Sequence, residues 1–236
     1  MIKINDTIIE QNHFPDGTLL MKCNAEPGKC GNITWQYESD AELFALYSLK
    51  KHLDRTVPGW NIYLYLPYIP NARQDRVKSE EDVFTLKYFA EIINSLKFER
   101  VYVLDPHSSV SEALIDNIVV ISPADFIAKT LNDIGTYNLL MFYPDEGAMK
   151  RYSGMTEKEY AFGIKRRDWA TGKNEGLDVA GCVDKIEGSK ILIIDDICSR
   201  GGTFYHSAKK LKELGAKEIY LYITHCEDTI FEGELL

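Results

Sequence analysis

Nowhere does the sequence hold an apolar run approaching the roughly 20 residues of a bilayer span, and no basic-then-apolar pattern opens it. Its 5 cysteines, Cys23, Cys30, Cys182, Cys198 and Cys226, form neither an even framework nor a Cys-x-x-Cys pair. That argues against a disulfide scaffold and a structural zinc site. Reduced thiols in a soluble, cytoplasmic protein are the expectation. Basic residues are also in deficit, 27 against 36 acidic ones for a net charge of −9, so no nucleic-acid or membrane partner is expected. Nor is there a Ser/His or Cys/His arrangement that would mark a nucleophile. With 236 residues the chain can hold one large or two modest α/β domains.

The most informative stretch present is residues 190–204, which reads Lys-Ile-Leu-Ile-Ile-Asp-Asp-Ile-Cys-Ser-Arg-Gly-Gly-Thr-Phe. Four aliphatic residues, Ile191, Leu192, Ile193 and Ile194, are too few for a helix and rich in β-branching, so they predict a strand buried on both faces. Asp195 and Asp196 follow at its carboxyl end, the edge where open α/β sheets bind ligands. Next come Ser199, Arg200, Gly201, Gly202 and Thr203, whose two glycines allow successive N–H groups to converge on an anion. Phe204, Ala208, Leu211 and Leu214 then recur at helical spacing until Gly215, so the loop feeds a helix N-terminus. Carboxylates that grip hydroxyls beside a phosphate cradle make a site for a phosphorylated sugar. An ordinary βα turn with two solvated acids is the bland alternative.

The remaining chain supplies further sites in order. Phe14-Pro15-Asp16-Gly17 is a turn, and Ser39 with Glu42 reads as a capping box opening an amphipathic helix. A strand over residues 60–66 delivers Arg73, Gln74, Asp75 and Arg76, cations suited to a polyphosphate beside groups able to bond a base or ribose. A helix is expected after Ser79, then a strand over 101–104 ending in Asp105-Pro106-His107. This strand and the one over 191–194 both end in an acid and a small polar turn, which suggests two related α/β halves, residues 1–122 and 123–236. In the second half a strand over 139–143 ends in Pro144-Asp145-Glu146-Gly147, an acid placed to hold a magnesium-bound phosphate. Lys165, Arg166 and Arg167 follow, then a polar, glycine-containing stretch over 170–176 expected to form a mobile loop.

The acid pair and Gly-Gly-Thr loop resemble the ribose-phosphate signature of the phosphoribosyltransferase superfamily. Taken in order with Arg73-Gln74-Asp75-Arg76, Asp105-Pro106-His107, Pro144-Asp145-Glu146-Gly147 and Lys165-Arg166-Arg167, it resembles the ribose-phosphate diphosphokinases, or phosphoribosyl pyrophosphate synthetases, from residue 14 to 224. The resemblance implies two phosphoribosyltransferase-like α/β domains with mainly parallel sheets and an active site in the interdomain cleft. It implies ATP as diphosphoryl donor, an acceptor containing ribose 5-phosphate, and Mg²⁺ as cofactor. By position, Phe14, Asp16, Arg73, Gln74, Arg76 and His107 match the ATP site, and His107 and Asp145 match magnesium ligands. Lys165 and Arg167 match the catalytic basic pair. Asp195, Asp196, Ser199, Arg200, Gly201, Gly202 and Thr203 match the ribose-phosphate site. A homo-oligomer is implied as well, because the Phe14 turn serves a neighbouring subunit in that family.

Some positions depart from the pattern. Thr18 follows Asp16-Gly17 where the family has glutamate, and Pro106 stands where leucine is common. The phosphate loop reads Ser-Arg-Gly-Gly-Thr instead of Asp-Thr-Gly-Gly-Thr, which raises its local charge by about two units. Arg200 could serve a second phosphate through its planar fork, so ADP-ribose, feeding NAD salvage, is the alternative acceptor to ribose 5-phosphate. The same sugar site would also serve a phosphoribosyltransferase, and the same fold a non-catalytic regulatory homologue.

Overall fold

The computed structural model describes residues 1–23, 30–167 and 174–235, with backbone alone at Cys30, Lys165, Arg166, Arg167, Asn174 and Glu175. The chain divides into two compact units, Met1–Ser122 and Pro123–Leu236, and both are α/β with mostly parallel sheets.

In the first unit β1 (Ile2–Ile4) pairs antiparallel with β2 (Thr7–Ile8) and with β5 (Cys30–Trp35). From β5 the sheet continues in parallel through β6 (Asn61–Leu66), β7 (Arg100–Leu104) and β8 (Ile118–Ile121). A separate hairpin, β3 (Gln11–His13) with β4 (Leu19–Met21), carries the Phe14 turn at its tip. Helices α1 (Ala41–Thr56), α2 (Thr85–Ser95) and α3 (Ser109–Leu114) belong to this unit. Its core gathers Ile33, Trp35 and Leu64 from strands with Leu46, Leu49 and Leu53 at helical spacing on α1.

Two expectations here are corrected. The capping box does not form: Asp40 is the N-cap residue of α1 and its side chain caps nothing. Glu42 is buried and accepts from Trp35 Nε1 at 3.0 Å, from the Glu38 amide at 2.8 Å, and from the Met1 amine. Burial works against its charge, but these donors more than offset that and leave its pKa lowered. The second helix starts at Thr85, not just after Ser79, because Asp82 accepts from the Lys78 and Ser79 amides at 2.7 and 2.8 Å and folds those residues into a turn.

The second unit has the sheet order β11-β10-β9-β12-β13. Strands β9 (Leu139–Tyr143), β10 (Tyr160–Arg167), β12 (Lys190–Cys198) and β13 (Glu218–Cys226) are parallel, and β11 (Asn174–Gly181) returns antiparallel along β10. Helices α4 (Ala124–Ile134), α5 (Glu146–Tyr152) and α6 (Gly202–Glu213) complete it. Ile191 and Ile193 pack in one cluster with Phe204 and Leu211 of α6, and Leu192 and Ile194 in another with Ile127 of α4 and Ala148 and Tyr152 of α5. The aliphatic run is thus covered on both faces, as its composition predicts. Its strand is longer than expected, however. Because β13 extends alongside it, pairing runs past both acids to Cys198 opposite Cys226, and the acid pair lies inside the ladder. Among the described residues no helix is long and apolar enough to cross a membrane.

Candidate active site

The second unit contains a reversal of strand order. β9 leads through α5 to β10 on one side, and β12 leads through α6 to β13 on the other, while β9 and β12 are neighbours. Carboxyl ends of strands flanking such a reversal form a crevice with room for a ligand. Here β9 delivers Asp145, and β12 delivers Asp195, Asp196 and the 199–203 loop. Asp145 is the N-cap of α5, its Oδ1 accepting from the Ala148 amide at 3.1 Å. β10 fits close behind this turn only because residue 163 is glycine: a Cβ there would stand 2.5 Å from the Pro144 carbonyl oxygen.

The acid pair has a partner that sequence reading missed. Arg151 Nη1, on α5, donates to Asp196 Oδ2 at 2.6 Å. Asp196 Oδ1 accepts from the Ile197 amide at 2.9 Å, and Asp195 Oδ1 from the Asp196 amide at 3.0 Å. Asp196 is buried and Asp195 half-buried. Burial, reinforced by the Asp196 carboxylate, pushes Asp195 up to about 8, and Asp145 adds to the shift. For Arg151 burial opposes the charge, but Asp196 outweighs it and the pKa is raised. The available signal was its place as a basic residue in the last turn of the helix that Asp145 caps; nothing in the linear sequence links it to residue 196.

Beyond Cys198 the 199–203 loop turns at Gly201, which is buried at φ 77° and caps α6. Gly202 and Thr203 are exposed, and a Cβ on Gly202 would meet nothing within 4 Å, so the helix N-terminus opens on space for an anion. The other side of the loop is covered by the segment after β13. The Glu227 amide donates to the Cys198 carbonyl at 2.8 Å, Leu235 packs on Gly201, and Gly233 lies so close to Arg200 that a Cβ would overlap its carbonyl oxygen. Arg200 Nη2 pairs with Glu232 Oε2 at 3.1 Å. The cation expected to await a second phosphate therefore sits against a carboxylate, although both side chains are largely exposed and the pair is weak. Gly233→Ala is expected to dislodge this covering segment at a cost of about 1–3 kcal/mol, read as a melting temperature about 2–12 °C lower. An unchanged melting temperature would show that the segment does not brace the loop.

In the first unit, Asp75 proves structural. It is buried, accepting from Ser108 Oγ at 2.7 Å and from Arg76 Nε and Nη2 at 2.7 and 3.1 Å. The Arg76 hydrogen bond leads in lowering its pKa to about 2. This corrects the expectation that Asp75 bonds a base or ribose, and it ties the segment after β6 to the one after β7 that carries His107. Gln74 Oε1 accepts from Thr85 Oγ1 at 2.8 Å at the start of α2, while Arg73 is exposed. At the β3–β4 tip Phe14 is half exposed, and Asp16 Oδ1 accepts from the Thr18 amide at 3.0 Å and hydroxyl at 2.7 Å. Those bonds, the hydroxyl's foremost, lower the Asp16 pKa. Thr18 thus stiffens the turn by a local side-chain bond.

Lys165 and Arg167 end β10, their backbones opposite Leu177 and Asn174, with a register shift between Arg166 and Arg167. Their side chains lie outside the described residues, as does most of the 170–176 stretch expected to be a loop. Its described part, from Asn174, is strand.

No family model matches the chain. It is 33% identical over 225 residues to the ribose-phosphate pyrophosphokinase of Pyrococcus abyssi, spanning 92% of this chain and 75% of that one. The ribose-phosphate pyrophosphokinase of Thermococcus kodakarensis is 29% identical over 225 residues, with 92% and 77% covered. Among solved structures, the phosphoribosylpyrophosphate synthetase of Mycobacterium smegmatis superposes with a TM-score of 0.76 over 93% of this chain and 72% of that one, at 20% identity. That likeness shows a shared fold.

Proposed function

The chain belongs to the ribose-phosphate pyrophosphokinase family, and on that footing we propose that it transfers the β,γ-diphosphoryl group of ATP to the anomeric hydroxyl of ribose 5-phosphate. The hydroxyl oxygen bonds to the β-phosphorus as the bond from that phosphorus to the α,β-bridging oxygen breaks. AMP leaves with the bridging oxygen, and the hydroxyl proton passes to water. The observation that carries this reading is the switch-point arrangement in the second unit. Adjacent strand ends there present hydroxyl-binding acids, an open Gly-Gly-Thr helix N-terminus and a separate acid-capped turn. One strand end suits the sugar phosphate, the other the transferred diphosphate.

On this reading the Asp195–Asp196 pair forms the ribose-hydroxyl side of the site, and Ser199, Gly201, Gly202 and Thr203 bind the 5-phosphate. Arg73, Gln74, Arg76 and His107, with the Phe14 and Asp16 turn of a neighbouring copy, bind ATP. Lys165 and Arg167 neutralise the charge that builds up during transfer. His107 and Asp145 would each hold magnesium, which when bound screens the phosphate oxygens from one another. Among the described residues no three His, Cys, Asp or Glu side chains group into a metal site, so each of the two would supply a single ligand. Mg²⁺ takes much of its shell from phosphate oxygens and water. A cytoplasmic location and a homo-oligomer complete the reading. The similar proteins are ribose-phosphate pyrophosphokinases, so ribose 5-phosphate is the acceptor we adopt over ADP-ribose.

AMP release from ATP and magnesium, measured with and without ribose 5-phosphate, tests the assignment. Release that depends on the sugar supports it; release indifferent to the sugar, or none, overturns it.

A further inference from the structure

The geometry points to Arg151 as a positioning residue for the acceptor sugar, acting through Asp196 on the carboxylate of Asp195. This rests on the reading of the second unit as the ribose 5-phosphate side.

Asp196 cannot meet the sugar as an equal of Asp195. One of its oxygens is taken by the Ile197 amide and the other by Arg151, and its side chain is 6% exposed. Asp195 is the more accessible, and its Oδ1 is fixed by the Asp196 amide. The adjacent acids therefore divide the work: Asp196 anchors the end of β12 against α5, and Asp195 presents an edge to the ribose hydroxyls. A buried carboxylate beside a second one needs a nearby cation, and removing one member of such a pair leaves the other charge uncompensated. Arg151 is that cation, 28% exposed and within 2.6 Å. Because Asp145 caps α5 and Arg151 lies in its last turn, one short helix ties the diphosphate-side turn to the sugar-side acids.

Arg151→Met should raise the KM for ribose 5-phosphate by about 30-fold or more and leave the KM for ATP essentially unchanged. Arg151→Lys should recover part of the loss, since a cation without the fork still neutralises Asp196. The decisive step is a double-mutant cycle: in an Asp196→Asn background, Arg151→Met should add little, because the carboxylate through which Arg151 acts is gone. Calorimetric titration of ribose 5-phosphate into each variant gives the same comparison without turnover. If the wild-type protein binds ribose 5-phosphate but releases no AMP, the activity reading fails while the variants still judge Arg151 by sugar affinity. Should Arg151→Met not fold, Arg151→Lys and Asp196→Asn carry the cycle. A normal sugar KM in the Arg151 variants, equal losses for both substrates, or additive effects in the cycle would each overturn the assignment.

Discussion

Lys165→Ala is expected to lower AMP formation about a thousandfold, the scale for removing preorganised charge from a transition state, while ribose 5-phosphate binding is retained. The nucleophile must approach a phosphorus surrounded by anionic oxygens, in a protein whose net charge is −9, so cations must be concentrated at the transferring group. Along β10 and β11 that concentration occurs where β10 ends, at Lys165, Arg166 and Arg167. The residues proposed for the sugar lie on β12, α6 and the loop between them instead, which is why affinity and rate should separate. Single-turnover rates with saturating ATP, magnesium and sugar are the measurement, with calorimetry for the sugar alone. Near-normal AMP formation would end the role assigned to Lys165.

How far the sequence disclosed all this depended on whether each signal was local. The strand over 191–194 was legible because four consecutive aliphatic residues fit only an interior strand, and Ile191 to Ile194 are at most 1% exposed. Gly201 was legible because the turn into α6 needs the positive φ that glycine tolerates. What escaped was non-local. Glu42 looked like a capping residue until Trp35 and the amino terminus supplied better donors, and Arg151 meets Asp196 across 45 positions. The long β10–β11 hairpin was missed because its outer half, around Lys165 to Asp178, alternates too little apolar content to announce a strand. The Arg200–Glu232 pair likewise depends on the chain turning back after β13.

Asp195→Asn should make the protein more stable and less active at once. Burial and the neighbouring Asp196 carboxylate lift Asp195 from 3.8 to about 8, so the folded state holds a proton that the unfolded chain releases far earlier. Stability from this group is fully present below about pH 3.8 and is lost progressively as the pH rises towards 8. An asparagine of the same shape has no charge to lose. The variant should therefore match the wild type in acid and exceed it increasingly up to pH 8, read as a difference in melting temperature that widens with pH. Above pH 8, where the carboxyl ionises, its sugar KM should rise by about 10–100-fold, the loss expected when a charged acceptor of hydroxyl hydrogen bonds becomes an amide. Melting curves at pH values from 4 to 9, with sugar KM at pH 9, test both halves together. A stability gain that is constant across the pH range would show that the carboxyl is not strained by its surroundings. An unchanged sugar KM would remove Asp195 from the ribose site even if the gain appears, since packing and a neighbouring charge alone can shift a carboxyl.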